Sequence, residues 1–486
     1  MVHDEPVSTP PDSDSSPAAA RTPWRSVPER KALGQAARET LPREQHAHCP
    51  QPEIDVVGLL RAEDVDRIPE LLPIRYERML ATPFTYYRGS AVVMAADLAS
   101  QPHSGLMTQL CGDAHLSNFG IFATPERRLI FDVNDFDETL PGPFEWDVKR
   151  LAASIVLAAR DNGFTRAQGQ DATHEAMATY RTTMREFAAQ GNLKVWYSSL
   201  DVEQGMVDLA PLLTNRARKF TAKAVERARG RDSVQAASKL TELVDGRHQF
   251  LSDPPLMVPL RELLPSADAD LVQAALREVL ADYRASLHED RRALFDQFHL
   301  TDVARKVVGV GSVGTRTWVV LLTGRGSDDP LLLQVKEAGP SVLEQHLGAS
   351  AHATSCERVI AGQRLMQASS DVFLGRSSVP LPDGTVRHRY LRQLRDGKGS
   401  ADLSAMNAKG LALYARMCGW TLARAHARSG DRVAIAAYLG KRGIFESAMV
   451  AFAEEYADRV QKQYRALQAA GERGELPRAE ATEQSP

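Results

Sequence analysis

One stretch constrains the fold of this chain more than any other. Residues 302–338 read DVARKVVGVGSVGTRTWVVLLTGRGSDDPLLLQVKEA, where runs of Val and Leu alternate with glycine-rich turns. That pattern predicts an antiparallel meander, and it is the only clearly sheet-rich stretch of the chain. Elsewhere the apolar residues recur at helical spacing: over 54–80, where Pro69 and Pro73 cut the run into short helices, then over 91–99, 146–160, 168–190, 233–244, 267–298, 341–368, 408–428 and 444–467. Two short extended segments, MTQLCGD and RRLIFDVND, flank a polar loop with Asn118, Gly120 and Pro125, and a strand pair is expected around SSVPLP and TVRHRYLRQL. A mostly helical α+β protein with one small antiparallel sheet lobe follows.

The expected division is a disordered tail over 1–28, rich in Pro, Ser, Asp and Ala, and a helical lobe over 29–300. A β-rich lobe follows over 301–396, then helices over 397–470 that return to the helical lobe, then a flexible tail over 471–486. The 59 Lys and Arg nearly balance 62 Asp and Glu, a net charge of −3, so the chain has no overall field for nucleic acid or an anionic membrane. Its longest apolar runs fall short of the ~18 residues that span a bilayer. The N-terminus lacks a basic start followed by an apolar stretch, and a cytoplasmic location is the expectation. Cys49, Cys111, Cys356 and Cys418 lie far apart, which suggests neither a disulfide framework nor a structural zinc site, and the HAHC cluster at 46–49 has no distant second pair of ligands. The basic run over 216–231 reads as one helix with a solvated face.

Chemistry enters with CGDAHLSNFG at 111–120 and FDVNDFDE at 131–138. Asp113 and Asn118 are five apart on one loop, the spacing of the Asp and Asn in the catalytic loop of kinases, where the Asp orients the attacking hydroxyl and the Asn binds a metal ion. Asp135, at the end of the next strand, fits the place of a further Mg²⁺ ligand, with Asp132 and Asp137 as near rivals. Phosphoryl transfer between oxygens calls for oxygen-bound Mg²⁺ and a carboxylate at the acceptor hydroxyl, so these residue types suit it. The same acids, with Glu138 and Glu145, would also serve as caps of helices and turns.

A second constellation favours the chemical reading. Gly309, Gly311 and Gly314 form a G-x-G-x-x-G, which by itself also suits an ordinary turn or the start of a dinucleotide-binding helix. Here TRTWVVLL leads out of it into a strand, as in the hairpin that covers ATP phosphates in kinases. On the following strand LQVK supplies Lys336 for the α and β phosphates. A helix beyond carries Glu357 as the partner of Lys336, with Glu344 as the nearer rival. The order is inverted, because the catalytic loop precedes the glycine loop by about two hundred residues. A circular permutation of a two-lobed, protein-kinase-like fold is therefore expected, and coincidental motif order is its rival.

The segments LLPIRYERMLATPFTYYRGSAVVMAADLA, LCGDAHLSNFGIFATPERRLIFDVNDFDETLPGPFEWDVKRLAAS, LLLQVKEAGPSVLE, RVIAGQRLMQ, YLRQLRDGKGS and LARAHARSGD resemble the bacterial family DUF2252, over about 30–470. That resemblance implies no activity. Separately, GDAHLSN and NDFDE are similar to the HGDxxxxN and IDFDD motifs of aminoglycoside phosphotransferases and choline kinases, which suggests their roles for Asp113, Asn118 and Asp135 alone. The chain departs from them in having Cys111 where they usually carry His, so other residues must orient the loop.

The resulting expectation is an ATP- and Mg-dependent phosphotransferase acting on a hydroxyl of a small molecule, with no nucleic-acid or membrane partner. A non-catalytic nucleotide-binding module and a nucleotidyl transferase are the alternatives. Arg88 and His115 are candidate substrate contacts. Asp147 reads as structural, with Lys149 or Arg150 touching the acidic loop, and Arg392, Arg395 and Lys398 form a basic rim or are simply solvated.

Overall fold

The computed structural model describes residues 24–49, 52–209, 223, 225–264, 269–380, 384–394 and 396–478. Most of the expected N-terminal tail, the basic run at 216–222 and 224, Arg395 and the chain end from 479 lie outside the described residues.

The meander forms the centre of a six-stranded sheet. Its order is Gly375–Ser377, Arg389–Gln393, Pro330–Glu337, Thr317–Thr323, His299–Lys306 and Met257–Pro259, every neighbour antiparallel. Side chains alternate across it as the period of a strand requires. Val320 and Leu322 pack under Tyr283, Leu287 and Phe295, while Val319 and Leu321 pack under Ala236, Ala237 and Phe250. Both faces are thus covered, and each buried Leu or Val contributes about 1.5–3 kcal/mol relative to exposure.

This covering moves the division between the two parts. Helices Ser233–Leu240, Ala269–Ala285 and Glu289–Phe295 pack on the sheet, although they precede the expected lobe boundary at 300. A sheet of this length has two apolar faces to remove from water, and these helices are the elements that do it. The run expected as one helix over 267–298 breaks at His288, where Glu289 and Asp290 start a new helix with acids in its first turn.

The remaining helices share one large core. Its frame is Phe144–Asp161, Arg166–Ala188, Ala408–Ser429 and Ile444–Glu472. Ala152, Ala153, Ala415 and Ala423 are fully buried, and such small side chains let the long helices approach closely. The long helices Ala408–Ser429 and Ile444–Glu472 therefore close on those of 144–188. Between helices sit the hairpin of Phe119–Ala123 with Leu129–Val133 and, flanking it in the chain, the antiparallel pair Met107–Leu110 with Leu140–Pro143. The residues expected to form a polar loop thus include a strand, FGIFA, whose Phe119 stacks at 6.3 Å on Phe131 of the partner strand. No helix among the described residues is long and apolar enough to cross a membrane.

Candidate functional site

The loop carrying Asp113 is held from three helices at once. Cys111 and Gly112 donate their backbone N–H groups, at 2.8 and 3.1 Å, to the two carboxylate oxygens of Asp147 at the start of Phe144–Asp161. His426 of Ala408–Ser429 lies with Nε2 3.3 Å from Asp147, and Tyr180 of Arg166–Ala188 bonds its Nδ1 at 2.8 Å. All three side chains are buried. Gly112 has φ +84°, and a Cβ there would run into the carbonyl oxygen of Glu138, so the turn admits only glycine. Beneath, Tyr414 donates to the carbonyls of Leu116 and Phe119 at 3.1 and 2.9 Å. Asp147, read from sequence as structural, is in effect the clamp of this loop. Its signal is weak: one of two acids in the first turn of a helix, with its partner His426 more than two hundred residues away.

Held in this way, Asp113 faces an open side with 20% of its side chain exposed. One oxygen is paired with Arg150 Nε, and the other lies 3.5 Å from His115 Nε2. Burial outweighs Arg150 and pushes the carboxyl above its usual range, with the charge of Asp135 acting in the same direction. Burial, with Arg88 and Arg150 nearby, holds His115 well below its ordinary value, so the ring is neutral. Asn118 donates its amide nitrogen to the Asp113 carbonyl at 2.7 Å.

The hairpin register carries the acids of NDFDE to the same end. Gly120 pairs with Asp132, Phe119 with Val133, and the Asn134 N–H donates to the Asn118 carbonyl at 2.8 Å. The three rival acids separate clearly. Asp132 turns into the core, paired with Arg424 and accepting the Ala368 N–H at 2.8 Å. Asp135 and Asp137 face the sheet instead. There Lys336, 4% exposed, donates to Asp137 at 2.6 Å and to Asp135 at 3.3 Å. These residues are 201 and 199 positions apart in the chain. Tyr390, opposite Lys336 on the neighbouring strand, donates its hydroxyl to Asp137 at 2.5 Å. Burial alone would lower Lys336, but the two carboxylates outweigh it and raise its pKa. Burial alone would raise Asp135, but Lys336 and then Arg392 hold it below the carboxylate range.

The glycine loop joins two antiparallel strands, as its sequence predicts, and the register sets Lys336 opposite Thr317 at its exit. Gly309 and Gly314 have φ of +67° and +88°. Arg67 donates to the carbonyls of Gly311 and Val313 at 2.7 and 2.6 Å, and Arg78 to that of Gly309 at 2.6 Å. A Cβ on Gly311 would come 3.2 Å from the Arg88 carbonyl oxygen, so the loop lies over Arg88. Arg88 in turn is close enough to Asp113 to feel its charge.

The expected pair of Lys336 with Glu357 is not formed. Glu357, in the first turn of Ser355–Met366, pairs with Arg376 at 3.0 Å on the edge strand, and Glu344 pairs with Arg358 at 3.4 Å. Asp135 and Asp137 have taken their place. The basic rim is also turned inward: Arg392 donates to the Asn134 carbonyl at 2.8 Å, and Lys398 to that of Gln393 at 3.0 Å. Burial, with Arg392 beside it, pushes Lys398 down to about 7. Of the two cations expected near the acidic loop, Arg150 pairs instead with Asp113 of the preceding loop, and Lys149 sits 4.6 Å over the Phe452 ring in the core. Tyr390 escaped sequence reasoning because only the strand register brings it to Asp137.

Among the described residues no three His, Cys, Asp or Glu groups converge as an all-protein metal cage; His46 and Cys49 are buried and His48 is exposed. Mg²⁺ requires less, taking one or two carboxylates with phosphate oxygens and water. Asp135 and the amide oxygen of Asn118 suit that role, since both are hard oxygen donors beside the loop.

The family described as an uncharacterized protein conserved in bacteria, DUF2252, matches residues 67–470. No curated protein and no solved structure matches the chain.

Proposed function

The chain belongs to the DUF2252 family, and from the geometry of its cleft we propose that it is a Mg·ATP-dependent phosphotransferase acting on a hydroxyl of a small-molecule acceptor. The observation that carries this reading is the meeting of Lys336 with Asp135 and Asp137 beside a glycine loop, with Asp113 adjacent. The parts then form a two-lobed, kinase-like cleft in permuted chain order. The sheet supplies the phosphate-covering loop and an ammonium group, and the helical part supplies oxygen ligands and a base.

In this reading Gly309, Gly311 and Gly314 cover the triphosphate, and Lys336 exchanges its carboxylate partners for the α and β phosphates. Asp135 and Asn118 would hold Mg²⁺, which would neutralise phosphate charge when bound. Asp113 accepts the proton of the acceptor hydroxyl as that oxygen bonds to the γ phosphorus. The bond from phosphorus to the β–γ bridging oxygen breaks, and ADP leaves with its electron pair. A carboxyl raised by burial is a better base than an ordinary one, and Arg150 fixes its direction.

The test begins with Mg·ATP, which raises the melting temperature of the wild-type protein, because a ligand that binds only the native state stabilises it. Asp113→Asn keeps that shift and loses about 10²–10⁴-fold in γ-phosphate transfer across a panel of hydroxyl metabolites. If neither ATP nor GTP moves the melting temperature, the reading fails. Transfer of α-phosphate label in place of γ would make it a nucleotidyl transferase.

A further inference from the structure

We infer that Arg88 is the cation that meets the phosphoryl group in transit, an inference that rests on the phosphotransferase reading. The segment bearing it is tightly built. Helix Pro83–Arg88 opens on a capping box between Thr82 and Thr85, and Arg150 fixes its other end. Arg150 Nη2 donates to the Tyr87 carbonyl at 2.9 Å, its guanidinium lies 4.2 Å from the Tyr87 ring, and the Tyr87 hydroxyl donates to the Arg150 carbonyl at 2.9 Å. Phe84 lies 6.0 Å beneath the Arg88 guanidinium.

In that frame Arg88 is half-buried and makes no hydrogen bond or ion pair among the described residues, and its Nε is buried without an acceptor. Arginine does not shed its charge, and a charge withdrawn from water without a partner costs free energy that an incoming anion offsets. The neighbouring cations are already committed: Arg150 to Asp113, and Lys336 to Asp135 and Asp137.

The location selects the anion. Gly311 lies over the Arg88 backbone, and Asp113 is near enough to act on the Arg88 charge. The point between a phosphate-covering loop and the base that receives the acceptor proton is where the transferred group passes. Arg88 donates its N–H groups to the non-bridging oxygens of that group, keeps its own protons throughout, and acts by stabilising charge that spreads over those oxygens.

Calorimetry of Mg·ADP, Mg·ADP with aluminium fluoride, and Mg·ATP on the wild type, Arg88→Gln and Arg88→Lys tests this. Mg·ADP affinity stays within about twofold in all three, which also reports that the variants are folded. The extra affinity given by aluminium fluoride falls about 10- to 100-fold in Arg88→Gln, the scale of a lost charge-assisted hydrogen bond, and returns in part in Arg88→Lys. Wild type and Arg88→Gln gaining equally from aluminium fluoride overturns the role of Arg88 and leaves the phosphotransferase reading standing. A wild type that binds none of the three overturns both.

Discussion

Replacing Lys336 by Met removes the ammonium group and keeps most of the aliphatic stem. The ammonium is nearly sealed from water, with 5% of the side chain exposed, whereas the Asp135 and Asp137 side chains are 32% and 31% exposed. Breaking a fully buried pair costs about 3–5 kcal/mol and an exposed one about 0–1, so partners exposed to this degree place the cost at about 1.5–3 kcal/mol. The pH dependence has a definite sign. Asp135 is held below its ordinary value, so its contribution is present above about pH 4 and is lost as pH falls through the native pKa. Lys336 is held above its ordinary value, so its contribution is present below about pH 10 and is lost above that. The gap between wild type and Lys336→Met is therefore full near pH 7 and narrows in acid. Urea unfolding of the wild type, Lys336→Met, Asp137→Asn and the double variant yields a coupling of about 1–2 kcal/mol at pH 7. Mg·ATP affinity falls about 10- to 100-fold in Lys336→Met with the loss of a charged phosphate contact. Additive single variants together with unchanged nucleotide affinity would refute the argument that these residues form one electrostatic unit.

Two further perturbations probe the frame of the cleft. Burial lifts Glu138 to about 7, so between about pH 4.5 and 7 the native chain holds a proton that the unfolded chain has released, and stability falls as pH rises through that window. Glu138→Gln, which keeps an acceptor for the Val342 N–H, flattens this slope by up to about 3 kcal/mol between pH 5 and pH 8 in urea unfolding; an unchanged slope shows that Glu138 is not its source. Gly112→Ala places a Cβ against the Glu138 carbonyl at a positive φ and costs about 2–4 kcal/mol, read as a lower urea midpoint with an unaltered m-value; a cost under about 0.5 kcal/mol would show that the turn yields easily.

What could be read from residues in order was what local chemistry decides. The glycine loop was followed correctly into a strand because TWVVLLT carries its preference in its own side chains. The Asp113 and Asn118 spacing was visible because both belong to one turn. The partner of Lys336 was not visible. Chain order points to Glu357, yet ion pairing answers to distance in space, and Asp137 arrives from 199 residues away. Asp132 looked like its neighbours until the hairpin register turned it toward Arg424. The clamp of Asp147, His426 and Tyr180 draws on three helices, and in sequence Tyr180 and Asp147 stand 246 and 279 positions from His426.

The arginine bonds to the glycine loop have a consequence for how the cleft admits a guest. Three guanidinium-to-carbonyl links from Arg67 and Arg78 fasten that loop to the helical part at one end, and mutual backbone bonds of 2.8 Å between Ile121 of the Phe119–Ala123 hairpin and Gly399 tie the segment leaving the sheet at the other. A slot tethered at both ends behaves as a socket and not as a jaw. Occupancy then demands little ordering of the main chain, so amide hydrogen exchange in the loop changes only modestly when a nucleotide enters, and cutting either tether turns the socket into a hinge.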